Sequence, residues 1–271
     1  MNKLILITSS SLRHLYFAKT INDFFKGSVS KIYIESTNDI NYSYIPDYKK
    51  NSNISDHFNQ RHNSEVDFFS GSELILEKSN IVRSIQKGAI NDEKIISEIE
   101  KIKPDLILTY GCSIIREPLL ELFKKRIINV HLGLSPYYLG AGTNFHALLN
   151  NEFHFFGYSI IYMDNGIDTG EIIHQSRANF FSNDTPHTIG NRLIKKMVND
   201  LIVLVNNFKN IKKIPRIATH YTPKVFKIKD CNSDAIKNLR QKFSTNLELY
   251  IKERDIKINR FPIIRQKFNG L

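Results

Sequence analysis

Short apolar runs alternate along this chain with stretches in which apolar positions recur every three or four residues. Lys3 to Thr8, Lys31 to Glu35 and Asp105 to Tyr110 are runs of the first kind, the last largely apolar in the manner of a buried parallel strand. Ile127 to His131, Gly157 to Met163 and Glu171 to Phe180 predict further strands. Ser10 to Phe25 predicts an amphipathic helix, and Asp92 to Ile102 another, stopped by Pro104. Asn144 to Asn150 predicts a short helix. A long one starts at Pro186, with Thr185 as N-cap, and runs to about Asn207. Ser36 to Asn63 is rich in Asn, Ser, Tyr and His and reads as a long inserted connection, while Ser64 to Gly88 shows only weak helical character. Towards the end, Lys224 to Ile228 predicts a strand or hairpin and Ser233 to about Glu253 a helix. Strands alternating with helices imply an α/β fold: an open, mostly parallel sheet with helices on both faces and a binding crevice at the carboxyl ends of its strands. The expected division is a catalytic domain over 1–207 and a small extension over 208–271.

Polar residues interrupt this pattern most tellingly between Ile127 and Gly170. The two-residue period of a strand puts Asn129 and His131 on one face. Leu132 to Gly142 reads as a loop, and Asp164 to Gly170 as a turn rich in Asp, Asn and Gly. An amide and an imidazole at one strand end, followed by an acidic turn, can form an acid–base cluster. On spacing alone, a satisfied core histidine and an ordinary turn aspartate explain the same residues equally well.

Asn129-x-His131, a proline-containing loop ending at Gly140, and the later Asp168-Thr169-Gly170 together resemble the formyltransferases that use 10-formyltetrahydrofolate. That family formylates glycinamide ribonucleotide, methionyl-tRNA and amino sugars. The resemblance covers roughly Lys101 to Gln175 and fades after about residue 205. It implies a Rossmann-like sheet, with Asn129, His131 and Asp168 as the catalytic group. In that chemistry an acceptor amine attacks the formyl carbon, so catalysis needs a donor aimed at the formyl oxygen and a path for the proton. Asn129 supplies an amide N–H, His131 a hydrogen bond or proton, and Asp168 orients the imidazole. Tyr110-Gly111-Cys112-Ser113-Ile114-Ile115 resembles the family loop whose backbone binds the pterin, and Met163, Asp164 and Gly166 complete the implied folate contacts.

The acceptor is less defined. Ser10 and Arg13 lie in the first strand–helix turn, near the acceptor in this superfamily, although an N-cap serine and a surface arginine explain them as well. That turn carries no G-x-G-x-x-G, so a dinucleotide site is not supported. Many members have Pro-Ser-Leu-Leu-Pro-Arg-Tyr-Arg-Gly where this chain has Leu132 to Gly140, LGLSPYYLG, without either arginine. Tyr137 and Tyr138 can stack on a base or sugar, or pack the loop. Asn144 is a further candidate substrate contact, and His146 reads as structural.

Charge narrows the choice. From Phe208 to Leu271 there are 16 Lys or Arg against 5 Asp or Glu, an excess of 11, which equals the net charge of the whole chain. A basic tail on a neutral body suits a nucleotide diphosphate, RNA or an acidic surface; it is also what a Lys-, Asn- and Ile-rich chain shows to solvent. The layout of a core plus a short extension resembles that of family members that formylate nucleotide-linked amino-dideoxy sugars, and that resemblance, which the basic tail suits, implies a sugar-nucleotide N-formyltransferase of surface-polysaccharide (O-antigen, lipopolysaccharide) synthesis. Formylation of aminoacyl-tRNA or a small amino compound is the alternative, and a non-catalytic folate- or nucleotide-binding module a third. A homodimer through the extension is open. Two cysteines, Cys112 and Cys231, are too few for a disulfide scaffold. The N-terminus reads as a strand, not a signal peptide, and no apolar run reaches transmembrane length, so the expected location is the cytoplasm, away from membranes. No metal is implied: His57 and His62, with Asp56 and Glu65 nearby, match no ligand spacing.

Overall fold

Strands that are apolar on both faces must be covered on both faces, and the order of elements supplies that cover. The computed structural model describes residues 3–36, 48, 50–78, 80–215, 220–245 and 247–271. The first half of the chain gives β1 (Leu4–Ser9), α1 (Leu12–Phe24), β2 (Val29–Ser36), α2 (Ser52–Phe69), β3 (Val82–Gln86), α3 (Glu93–Ile102), β4 (Leu106–Tyr110), α4 (Leu119–Leu122) and β5 (Ile127–His131). There follow β6 (Tyr138–Gly140), α5 (Thr143–Leu149), β7 (Gly157–Tyr162), β8 (Ile172–Arg177), α6 (Pro186–Asn206), β9 (Lys224–Phe226), α7 (Ser233–Thr245) and α8 (Leu247–Lys257).

Among the described residues a seven-stranded sheet has the order β3-β2-β1-β4-β5-β7-β8. The first five strands are parallel, whereas β7 runs antiparallel to β5 and β8 antiparallel to β7. Alternate residues of one strand feed two cores. Leu4, Leu6, Leu106 and Leu108 pack with Phe17 and Ile21 of α1 and Leu193, Met197 and Leu201 of α6. Ile5, Ile7 and Ile107 pack on the other face with Ile95, Ile96 and Ile99 of α3 and Leu119 of α4. The α/β sheet with helices on both faces is therefore present. Thr185 caps α6 as expected, its side chain accepting from the Thr188 N–H.

The region read as an inserted loop differs. Its residues 37–47 and 49 lie outside the described set, but Ser52–Phe69 is helical, with the Asn51 side chain accepting from the N–H groups of Asn53 and Ile54. The helix escaped the hydrophobic pattern because its buried face mixes Ile54, Phe58 and Phe69 with His57 and Glu65. The β3 strand escaped because it is an edge strand with Ile85 as its one buried residue. The helix expected over 233–253 is two helices, α7 and α8, on either side of residue 246, which also lies outside the described set.

The segment beyond α6 folds back over the rest. Its strand β9 pairs in parallel with β6, Tyr138 opposite Lys224 and Gly140 opposite Phe226. Its last residues run beside β8, where Gln175 N–H donates to the Ile264 carbonyl (2.7 Å) and Gln266 N–H to His174 Nδ1 (3.2 Å). Several of its basic side chains act as fasteners: Lys224 Nζ is 2.7 Å from Glu152, and Arg254 donates to the Ala178 carbonyl at 2.7 Å. No helix among the described residues is long and apolar enough to cross a membrane.

A buried carboxylate joins α6 to the sheet. Asp200 takes the Tyr158 hydroxyl, lies 2.6 Å from Lys196 Nζ and 3.5 Å from His174 Nε2. Burial opposes its charge, but these donors hold it below the ordinary carboxyl range. Because the folded-state value is the lower one, the stabilisation is complete above the unfolded value of about 3.9 and disappears as pH falls through the folded value. Asp200→Ala should cost about 3 kcal/mol in urea unfolding at pH 7, because it strands two buried partners, Tyr158 and His174, and releases Lys196. The difference from the parent should shrink in unfolding curves taken below about pH 4.

Candidate active site

The polar pair at the end of β5 sits where the isoleucine face runs out. Ile127 packs on the α3 and α4 side, and Asn129 and His131 continue the same face. The antiparallel return of β7 then carries the following turn across them, since Met163 N–H bonds back to the Ile127 carbonyl. The turn is held by its own side chains. Asp164 Oδ1 accepts from the Gly166 N–H (3.0 Å) and the Thr169 hydroxyl (2.9 Å). It ends with Asp168 in the left-handed region, φ 54°, which Asp tolerates better than most side chains.

That backbone aims the Asp168 carboxylate back at β5. Its Oδ2 lies 3.2 Å from His131 Nδ1 and takes the Gly140 N–H at 2.9 Å; its Oδ1 faces Asn129 Nδ2 at 3.4 Å. His131 Nε2 donates to the Tyr138 carbonyl at 2.9 Å. Both ring nitrogens thus face oxygens that can only accept. The residues expected to act together are brought together. The ring is only 7% exposed as a residue, and the loop passes closely over it: a Cβ on Gly133 would collide with His131 Nε2 and Thr143 Oγ1.

Thr109, which the apolar pattern absorbed as one more strand residue, sets the amide. It lies opposite Asn129 in the parallel register of β4 and β5, and its hydroxyl donates to Asn129 Oδ1 at 3.0 Å. The amide NH2 is thereby turned towards Asp168. One of its two N–H groups goes to that carboxylate, leaving the other as a donor. A threonine inside an apolar strand is the only trace of this in the sequence, and pairing register was needed to read it.

The implied folate loop leaves β4 beside this group. Tyr110 is buried against the His14 ring, 4.6 Å between centroids. Gly111 follows at φ 67°, so close to His14 that a Cβ would overlap the ring. Glu35, at the end of β2, holds the loop from below: its buried carboxylate accepts the Ser113 N–H at 2.6 Å and the Gly88 N–H at 3.0 Å. Asn91 Nδ2 donates to the Ile114 carbonyl (3.0 Å), and the Ile114 side chain is 64% exposed while Ile115 is buried. Burial and then Glu35 push the Cys112 thiol up to about 12, which keeps it protonated. A braced backbone with one apolar side chain presented to solvent, beside half-buried Met163, fits a flat heterocycle better than a metal. Among the described residues no group of three or more His, Cys, Asp and Glu gathers as a metal site.

The expected acceptor contacts are corrected in part. Tyr137 is buried, stacked on Phe155 at 4.4 Å, with its hydroxyl donating to the Pro262 carbonyl. Tyr138 is buried, stacked on Phe226, with its hydroxyl on Glu152. Asn144 clasps Gly157, donating to its carbonyl (2.9 Å) and accepting its N–H (3.0 Å). The two tyrosines pack the loop against the aromatic wall that the extension brings, while Asn144 ties α5 to β7. Arg13 is bound to buried Glu65 at 2.6 Å, and Ser10 is exposed ahead of α1. His146 is structural as expected, stacked on Phe226 at 4.0 Å.

An amide, an imidazole and a carboxylate at the end of a central strand of an open α/β sheet make a site equipped for group transfer to a nucleophile. The formyl transferase family model matches residues 50–205, more than half of the chain, and the chain belongs to that family. A methionyl-tRNA formyltransferase from Alkaliphilus oremlandii is 34% identical over 136 residues, covering 48% of this chain and 43% of the relative. The match therefore spans less than half the length of that curated relative. A sugar N-formyltransferase from Shewanella sp FDAARGOS_354 has the same fold, with TM-score 0.57 and 19% identity over 85% of this chain and 78% of that one. So does the formyltransferase PseJ from Anoxybacillus kamchatkensis, solved with UDP-4,6-dideoxy-4-formamido-L-AltNAc and tetrahydrofolate; its TM-score is 0.51, with 21% identity over 87% of this chain and 97% of that one.

Gly140 joins the site to the extension. It has φ 89°, and a Cβ there would strike the Phe226 carbonyl. Gly140→Ala is expected to destabilise the protein by about 1–3 kcal/mol in urea unfolding, through left-handed strain and the loss of β6–β9 pairing. An unchanged midpoint would show that the extension does not depend on this contact.

Proposed function

We propose that this protein is an N-formyltransferase that moves the formyl group of 10-formyltetrahydrofolate to a primary amine, and that the amine belongs to a nucleotide-linked amino-dideoxy sugar. The observation that carries the reaction is the convergence of Asn129, His131 and Asp168 within hydrogen-bonding reach. When bound, the folate supplies the electrophilic formyl carbon. The residues of the chain do the rest. The N–H of Asn129 left over from Asp168 is a donor for the formyl oxygen as it gains charge, and Thr109 keeps the amide turned the right way. For His131 to exchange the proton between the amine and the leaving nitrogen, its Nε2 must let go of the Tyr138 carbonyl, while Asp168 holds Nδ1 and so fixes the ring. The braced loop from Gly111 to Ile115, with Met163, Asp164 and Gly166, is the proposed seat of the pterin.

The sugar acceptor is supported by the likeness of fold to sugar N-formyltransferases and by the charge of the extension. The second reading, formylation of aminoacyl-tRNA, is favoured by the identity to methionyl-tRNA formyltransferases. Incubation with 10-formyltetrahydrofolate and either a panel of amino-sugar nucleotides or aminoacylated tRNA, read by mass spectrometry, separates them. Product from the sugars supports the proposal; product from tRNA alone replaces it.

Asn129→Ala and His131→Ala should each lower kcat roughly 100- to 1000-fold without a change in unfolding midpoint comparable to that of a core substitution. Thr109→Val keeps the shape but frees the amide, and should lower kcat about tenfold with acceptor KM unchanged. A fall in kcat for Thr109→Val as large as for Asn129→Ala would contradict a merely orienting role.

A further inference from the structure

A second cluster of polar side chains lies beyond the catalytic group, where α2, α6 and α7 meet. His57 of α2 stands 4.8 Å from His187 of α6, centroid to centroid, and 5.7 Å from Phe145 in the short helix that follows the catalytic loop. Arg61, one turn along α2, shares the buried carboxylate of Glu65 with Arg13 at 3.0 and 2.6 Å. Arg240 comes from α7, with one donor at 3.4 Å from the Asn53 carbonyl. Its Nε is buried and has no hydrogen-bond partner among the described residues. Two guanidiniums thus share one carboxylate, and a third, Arg240, stands nearby on the Asn53 carbonyl.

The surplus is felt by both imidazoles. Burial first, then His187, Arg61 and Arg240, push His57 down to about 3. Burial, Arg61 and Arg240 likewise push His187 down to about 4, against an upward pull from Glu65. Burial opposes the charge of Glu65, but Arg13 and Arg61 hold it below the ordinary carboxyl range. Two neutral rings that can donate hydrogen bonds, flanked by guanidiniums from two helices, make a compact place of positive potential. Guanidinium and imidazole N–H groups are donors of the kind that phosphate oxygens accept. The cluster also borders the active crevice, through Phe145 on one side and through Arg13, which acts on Tyr110 of β4, on the other.

We propose that His57, Arg61, His187 and Arg240 form a subsite for the diphosphate of the acceptor nucleotide. This rests on the sugar-nucleotide reading above. Arg240 lies outside the matched family region, so the extension supplies part of the acceptor site. It follows that the extension has a role in recognition besides packing.

The test uses the full chain with histidine side chains labelled for NMR, titrated with sodium pyrophosphate and separately with UDP and dTDP. Saturable movement of the His57 and His187 ring signals, with the His131 signal unmoved by pyrophosphate, is the expected result. Arg240→Gln should weaken pyrophosphate binding roughly tenfold, and Arg240→Lys should recover much of it, since one charge-assisted hydrogen bond is at stake. In turnover, Arg240→Gln should raise the acceptor KM by a similar factor and leave the KM of the formyl donor unchanged. Ring signals unmoved by all three anions, or a raised donor KM alone, would overturn the subsite while leaving formyl transfer itself intact. Absence of formyl transfer to any sugar nucleotide, with pyrophosphate still bound, would instead remove the acceptor reading on which the diphosphate assignment stands.

Discussion

The carboxylate of Asp168 accepts from an imidazole, a side-chain amide and a backbone N–H that arrive on β5 and β6, and it does so from a left-handed residue at the end of a self-bonded turn. Those contacts define which way the His131 ring and the Asn129 amide face. The Gly140 N–H carries the tie further, because Gly140 also belongs to the β6–β9 ladder. The polar group at the end of β5, the loop after it and the C-terminal extension are therefore one hydrogen-bonded assembly. A charge placed at the junction of three segments is costly to bury unless every partner is present, so this carboxylate enforces the local geometry.

The sheet explains why the assembly forms at this strand and not another. Through β4 and β5 the sheet is parallel, and polar side chains enter its strands only towards their carboxyl ends, at Thr109, Asn129 and His131. At β5 the order turns antiparallel, and the return of β7 brings the acidic turn that follows it back to Asn129 and His131. Glu35 performs a comparable service at the neighbouring loop, where two N–H groups that no strand pairs end on one buried carboxylate.

Much of this was legible in the sequence. The strand Ile127–His131 appears with the boundaries its pattern predicts, and the N-cap Thr185 followed by Pro186 marks the start of α6. Asn129, His131 and Asp168 could be picked out because their order resembles that of a known family; their spacing alone fitted a core histidine and a turn aspartate equally well. The tyrosines of the catalytic loop were ambiguous for a physical reason: an aromatic ring with a hydroxyl serves a ligand or a core equally well, and only the arrival of Phe226, Phe261 and Pro262 decides for the core.

The sequence by itself determined what each segment does locally: which runs form strands, where helices are capped, and that the turn after β7 closes on its own Asp164 and Thr169. Such features depend on neighbours within a few residues, so they can be read in one dimension. Tertiary structure alone decided the pairing of Thr109 with Asn129, the reach of Glu35 to Ser113, and the burial of α2 through His57 and Glu65. Each of these joins residues that are far apart in the chain by polar contacts rather than by an apolar face. Hydrophobic periodicity records which side of an element is buried; it carries no record of which distant polar group will be waiting there.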